Sequence, residues 1–433
     1  MIPMSPRAHR PWFIGMTQGL PLLLLLAACR TDPVTGGTYY SPLGNDYASQ
    51  DKFVRENFLT EILITREGGL LYEPDVVAAC REAFDRVVAA VPKEHRRDFQ
   101  YHFLLTASPD VNAYTYGAGR VHCHLGLLAR CRDEAEFAGV MAHEIGHNSH
   151  DHFGQSLGRE SIGGTFASLG WIAGPPGRKL TEGLKGLVAV QFTRSQEREA
   201  DDRAVDYVRE AGIDPDGLAR FFEGMEKDFG SEGAQFLQTH PHPENRVKAI
   251  RERIGGGAGG DRSTPKFDAA LQRAREVLPY YVKLAEATAQ ENPKKLLEVA
   301  DAGAIALPRH ALFHFWRGIA LESLGENARA RAALRAATAF NLGNFFIPLV
   351  WGALEFKAQD WPATEEAANR LLEIIPMPTA FFLRGIARVK QGRVEEGTRD
   401  LNFLVSLFPK RDQEALVKEI RKHLPDFQVN GNG

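Results

Sequence analysis

Three glycines, Gly318, Gly352 and Gly385, stand 34 and 33 residues apart near the end of this 433-residue chain. Each sits in an apolar, helix-forming stretch: Trp316-Arg317-Gly318-Ile319-Ala320, Trp351-Gly352-Ala353-Leu354 and Leu383-Arg384-Gly385-Ile386-Ala387. A second such stretch follows each one: Ala328 to Phe340, Ala363 to Ile375 and Val394 to Phe408, the last two closed by Pro376 and Pro409. That period, with a small residue where two helices cross, is the tetratricopeptide period. One helix pair cannot bury its own apolar face, so pairs must stack. The expected product is an α-solenoid with a concave face suited to a protein partner. The match is degenerate, and a generic helical bundle is the other reading. Phe267 to Leu307 can supply an earlier, less typical pair.

Upstream lies Gly255-Gly256-Gly257-Ala258-Gly259-Gly260, continuing to Pro265, which composition reads as a flexible linker. The chain then divides into a domain over 51–254, a linker over 255–265 and a repeat domain over 266–428. The first domain reads as mainly α with a small β-sheet. Tyr101 to Leu105 alternates weakly, and Val121-His122-Cys123-His124-Leu125 alternates as a half-buried strand does. Such a strand at a sheet edge can pair with an extended peptide. A net charge of −3 gives no basic excess, so a nucleic-acid partner is not expected.

The N-terminus reads as an export segment. Arg7, His9 and Arg10 precede an apolar run ending Leu26-Ala27-Ala28-Cys29. This resembles a lipobox, which implies a signal peptide over 1–28, a lipidated Cys29 and an extended leader over 29–50. Lipid chains there would anchor the protein to a membrane face, and Arg30 leans the address toward the outer membrane. Cys80, Cys123 and Cys131 then remain in an oxidising compartment, where an odd number leaves one free or paired between chains.

The chemistry centres on His143-Glu144-Ile145-Gly146-His147. Asp133 can cap a helix running to His150, and Phe137, Val140, Met141 and Ile145 give it an apolar stripe. Imidazoles four residues apart share one helix face and can bind one zinc ion. Glu144 is placed to take a proton from a water there. Catalytic zinc typically takes three protein ligands. Glu197-Arg198-Glu199-Ala200-Asp201 offers one, with Glu197 as ligand and Asp201 accepting from the far nitrogen of a ligating histidine. A solvated charged face explains the same residues equally well. His122, His124, His150 and His152 read as strand face and helix end, with a second metal site the minority reading. Ser156 to Val190 is a lid or a plain connection.

Several blocks together resemble the zinc metallopeptidases that include the CAAX prenyl endopeptidases and the HtpX-type proteases. They are Asp32-Pro33-Val34-Thr35-Gly36, Val111-Asn112-Ala113-Tyr114, Gly119-Arg120-Val121, Gly126-Leu127-Leu128, Glu136 through His147, Thr193 through Asp201, and Thr239-His240-Pro241 with Arg246. The resemblance implies a zincin-type fold, one zinc per chain and Glu197 as the third ligand. Phe137 and Asp151 depart from the family pattern, where Leu and Arg are usual. The likeness is greatest to lipoprotein or periplasmic members with C-terminal tetratricopeptide repeats. It implies a zinc endopeptidase acting on misfolded or stalled outer-membrane proteins, its repeats meeting the assembly machinery. It also implies that His240 can occupy the open zinc position as a switch. His242 is a rival, and packing on Pro241 or steadying an oxyanion are other roles for His240. A chaperone-like or scaffold lipoprotein with little proteolysis is the alternative function.

Overall fold

The structure is a computed structural model describing residues 28–31, 38–41, 47–56, 58–96, 98–159, 192–229, 236, 240, 243–256 and 259–429. Residues 1–27 of the expected signal peptide, 160–190 of the expected lid, and His242 lie outside them. Strands β1 (Ala28–Thr31) and β2 (Thr38–Ser41) pair antiparallel. Helices α1 (Tyr47–Glu56), α2 (Leu59–Arg66), α3 (Pro74–Ala90) and α4 (Lys93–Arg96) lead to the main sheet. That sheet holds β3 (His102–Thr106), β4 (Ala113–Thr115) and β5 (Arg120–His124) in the order β3-β5-β4.

The sheet corrects one expectation. Val121 to Leu125 was read as an edge strand, yet β5 is central, parallel to β3 and antiparallel to β4, with all five residues buried. The polar half of its alternation faces an internal partner, not water. His122 Nδ1 lies 2.9 Å from Glu67 Oε2, and His124 Nε2 lies 3.4 Å from Glu67 Oε1. The Tyr114 hydroxyl also donates to Glu67. Burial alone would raise that carboxyl, but the two imidazoles hold it far below the usual range.

Helices α5 (Leu125–Arg130), α6 (Glu134–Ser149), α7 (His152–Arg159), α8 (Arg194–Glu210), α9 (Gly217–Phe229) and α10 (Pro243–Ile254) complete the N-terminal part. Then come α11 (Pro265–Ala289) and α12 (Pro293–Ala306). Three hairpins follow: α13 (Ala311–Ser323) with α14 (Asn327–Ala339), α15 (Phe346–Lys357) with α16 (Trp361–Ile374), and α17 (Pro378–Lys390) with α18 (Val394–Ser406). Helix α19 (Lys410–His423) closes the series. The periodic glycines sit where the helices of a pair cross. A Cβ on Gly318 would lie 2.6 Å from Leu334, and one on Gly385 would lie 2.7 Å from Leu401.

The Gly-rich stretch is less free than its composition suggests. Asp261 donates its N–H to Gly212 O at 2.9 Å and accepts from Asp214 N–H at 3.0 Å. Ala135 N–H donates to Arg262 O at 2.9 Å, and the Thr264 side chain caps α11. The apolar core also runs past it: Phe84, Phe137, Phe267 and Phe313 belong to one buried cluster, with the Phe137 and Phe267 rings 5.2 Å apart. A second cluster joins Leu59, Ile62 and Leu63 of α2 to Phe345, Leu371 and Met377 of the helical hairpins. The hairpins therefore pack onto the part that carries His143 and Glu144. Among the described residues no helix is long and apolar enough to cross a membrane. Cys80, Cys123 and Cys131 are buried free thiols.

Gly126, at the start of α5, shows how tightly the sheet is framed. A Cβ there would lie 2.1 Å from Pro109 O and 2.5 Å from Asp110 O, both backbone atoms. Gly126→Ala is expected to lower stability by about 1–3 kcal/mol despite the alanine's better helix propensity. Urea unfolding of both proteins checks it; equal or higher stability would contradict this packing.

Candidate metal centre

Helix α6 is buried from end to end. Its start is fixed by Asp133, whose carboxylate accepts the Glu136 N–H at 3.0 Å, while Glu136 accepts the Arg132 N–H at 2.8 Å. Helix α8 begins in a full capping box between Thr193 and Gln196. The two helices meet at Gly146, where a Cβ would lie 3.0 Å from Ala200 O. This close approach sets the first turn of α8 against the second half of α6. Glu197 and Asp201 face inward and are buried, whereas Arg198 points to solvent. A wholly solvated charged face is thereby excluded for that turn.

His143, His147, Glu197 and His240 form one buried group with a donor atom each, all within 4.8 Å of one another. His143 Nε2 lies 3.0 Å from His147 Nε2 and 3.5 Å from Glu197 Oε2. His147 Nε2 lies 3.6 Å from Glu197 Oε1. His240 Nδ1 is 3.2 Å from His143 Nε2 and 3.0 Å from Glu197 Oε1. Donors bound to zinc at tetrahedral angles stand about 3.3 Å apart, so these spacings suit one such ion. The donor chemistry suits it too: three imidazoles and one carboxylate.

The far nitrogens are occupied as ligand rings require. His143 Nδ1 is 3.0 Å from Asp201 Oδ1, the orienting contact expected from the sequence. His147 Nδ1 is 2.8 Å from His152 Nδ1, and Phe192 stacks on the His147 ring with centroids 3.9 Å apart. Sequence reasoning assigned neither contact.

Arg246, on α10, was noted in the sequence without a role. Its Nη1 lies 2.7 Å from Glu197 Oε2, and its Nε and Nη2 each donate to Asp201 at 2.7 Å. Nη1 also donates to the His240 carbonyl at 3.3 Å, and the guanidinium sits 4.2 Å over the Phe222 ring. One buried cation thus neutralises two buried carboxylates and holds the backbone of His240. Basic residues after Pro243 are common in this sequence, and the family resemblance marked Arg246 among them without a role, which the fold supplies.

The electrostatics follow from burial. It pushes the His143 pKa down to about 4 and His147 well below its usual range, so both rings are neutral and able to donate a lone pair. Burial pushes Glu144 up to about 7, with His240 pulling it back. His240 moves the other way. Burial would lower it, but Glu197 and Glu144 override that and raise it. His240 Nε2 stands 3.4 Å from Glu144 Oε1, and its ring stacks on Phe236 with centroids 4.6 Å apart. The structure thus brings together His143, Glu144, His147, Glu197, Asp201 and His240.

Residues 78–254 match the model of peptidase family M48. They form a peptidase family M48 domain. The chain is 26% identical over 200 residues to the beta-barrel assembly-enhancing protease of Yersinia pestis, covering 42% of this chain and 40% of that one. It is 33% identical over 158 residues to metalloprotease LoiP of Escherichia coli, covering 35% of this chain and 62% of that one. The mitochondrial metalloendopeptidase OMA1 of Arabidopsis thaliana is 25% identical over 198 residues, covering 46% of this chain and 40% of that one. The chain therefore spans less than two thirds of the length of the curated relatives it matches. M48 metalloproteases are zinc-dependent, and the buried His/Glu group of this M48 domain fits that ion.

Arg246→Met leaves Glu197 and Asp201 buried without their cation. The expected loss is about 3–5 kcal/mol. Burial would raise Asp201, but Arg246 holds it down at about 2. A carboxyl depressed in the folded state adds stability that is complete above its ordinary value of 3.8 and is lost as pH falls toward 2. In Arg246→Met that depression is lost and burial raises the carboxyl instead, so the stability deficit against wild type should narrow as pH falls toward 2. Urea midpoints between pH 2 and 7 check it, and superimposable profiles would contradict the pairing.

Proposed function

We propose that this chain is a zinc-dependent endopeptidase, with His143, His147 and Glu197 as metal ligands, Asp201 orienting His143, and Glu144 as general base. The buried donor group carries the reading, because Glu144 reaches its rim while contributing no donor to it. Bound there, zinc would polarise the scissile carbonyl and acidify a water. The chain's own residues then divide the proton work. Glu144, poised near neutrality by burial, takes the proton of the attacking water and passes it to the leaving amine. Asp201 keeps the proton of His143 on Nδ1, leaving Nε2 free as donor. Arg246 keeps Glu197 ionised and aimed at the centre.

His240 completes the donor set and stands at the fourth position, beside the general base. In this reading it holds the resting enzyme closed, and its removal from the centre admits substrate. The sequence likeness to beta-barrel assembly-enhancing proteases and the Cys29 lipobox support a lipid-anchored protein of the cell envelope, at the periplasmic face of the outer membrane. Misfolded or stalled outer-membrane proteins are then its substrates, and the helical hairpins, read as tetratricopeptide-like repeats, recruit protein partners.

Glu144→Gln is expected to bind zinc as wild type does and to lose cleavage of an unfolded protein by about 100-fold or more. His240→Ala is expected to cleave the same substrate faster than wild type. Metal analysis with a casein-type assay checks both. Retained cleavage by Glu144→Gln would overturn its role as base, and unchanged or slower cleavage by His240→Ala would overturn the block.

A further inference from the structure

A second cluster of donors lies directly behind the first. His150 ends α6 as its C-cap, and His152 opens α7 one residue after Asp151, whose φ of 53° folds the chain back on itself. This reversal brings the two imidazole rings into a stack with centroids 5.1 Å apart. Both histidines are buried. Glu199 reaches them from α8: its Oε2 lies 3.1 Å from His152 Nε2 and 3.8 Å from His150 Nδ1. One donor atom from each residue falls within 4.8 Å of the others. The Glu199 side chain is 41% exposed, so one side of the cluster is open to an ion and its waters.

We propose that His150, His152 and Glu199 form a second divalent-cation site, distinct from the His143/His147/Glu197/His240 centre and taking zinc or a similar borderline ion. Two imidazoles and a carboxylate are a common donor set for such ions. The spacings are wider and less even than those of the first centre, so the second ion binds more weakly.

The two sites are coupled through one hydrogen bond. This step rests on the reading of His147 as a ligand. With His147 Nε2 given to the first metal, its ring proton lies on Nδ1 and is donated to His152 Nδ1 at 2.8 Å. His152 then carries its own proton on Nε2, where it faces Glu199. An ion at the second site needs the lone pair of His152 Nε2, so that single proton moves to Nδ1 and the ring stays neutral. Two N–H groups then face one another between His147 and His152. Occupation of the second site therefore disturbs a ligand of the first, and excess cation inhibits.

The test uses the full chain with zinc as probe. Bound zinc is counted by equilibrium dialysis as free zinc rises, and peptidase activity is followed in parallel. Wild type is expected to pass from one to two zinc ions per chain, losing activity as the second binds. His150→Ala and Glu199→Gln are expected to need at least tenfold more free zinc for both effects. Glu199→Gln alters a half-exposed residue and keeps an oxygen that can accept from His152, so it reports even where His150→Ala folds poorly. A stoichiometry that stays at one, or a second ion and inhibition that persist unchanged in Glu199→Gln, would overturn the site. Failure of wild type to bind any zinc, or a first ion unaffected by His147→Ala, would instead overturn the reading of the first centre.

Discussion

Two carboxylates, Glu197 and Asp201, are buried one helical turn apart, and a single guanidinium makes that arrangement tolerable. Removing an unpaired carboxylate from water costs several kcal/mol, so burying two demands a buried cation in good geometry. Arg246 meets that demand from α10 with contacts of 2.7 Å to each. The rest of the centre depends on it. Glu197 stays ionised beside two neutral imidazoles, Asp201 stays available to His143, and His240 is held by its carbonyl against the same guanidinium. An enclosed site of this kind also strengthens every charge interaction inside it.

Neutral rings and displaced carboxyls then give the centre its division of labour. His143 and His147 lose their protons to burial, which suits donors. Glu144 is pushed to about 7, which suits a group that must both take and give a proton near neutral pH. His240 is driven toward the protonated form by the two carboxylates around it, although its ring nitrogen stands among the donors. A group with both options is suited to leaving the centre and returning to it.

Much of this was legible in the sequence because helical periodicity is local. The pair His143 and His147, the cap at Asp133, and the glycines at 318, 352 and 385 all act within one or two turns or one helix crossing. Other features were not legible because they depend on partners far along the chain. The alternation of Val121 to Leu125 read as a half-buried strand, yet Glu67, at the C-terminal end of α2, supplies its polar partner. The glycines after Ile254 read as freedom, yet the backbone around Asp261 is tied to Gly212 and Asp214. Phe192 carried no local signal that separates it from surface residues, and Arg246 was marked by resemblance alone, with no role. The contact between His147 and His152 needed the reversal at Asp151, a non-glycine residue at positive φ that composition does not reveal.

A crystal structure of the zinc-loaded full chain tests most directly whether His240 is the fourth donor of the resting metal centre. The expected result is a ring nitrogen of His240 about 2.1 Å from zinc, together with His143, His147 and Glu197. A water in that position, with the His240 ring turned away from the ion, would contradict it.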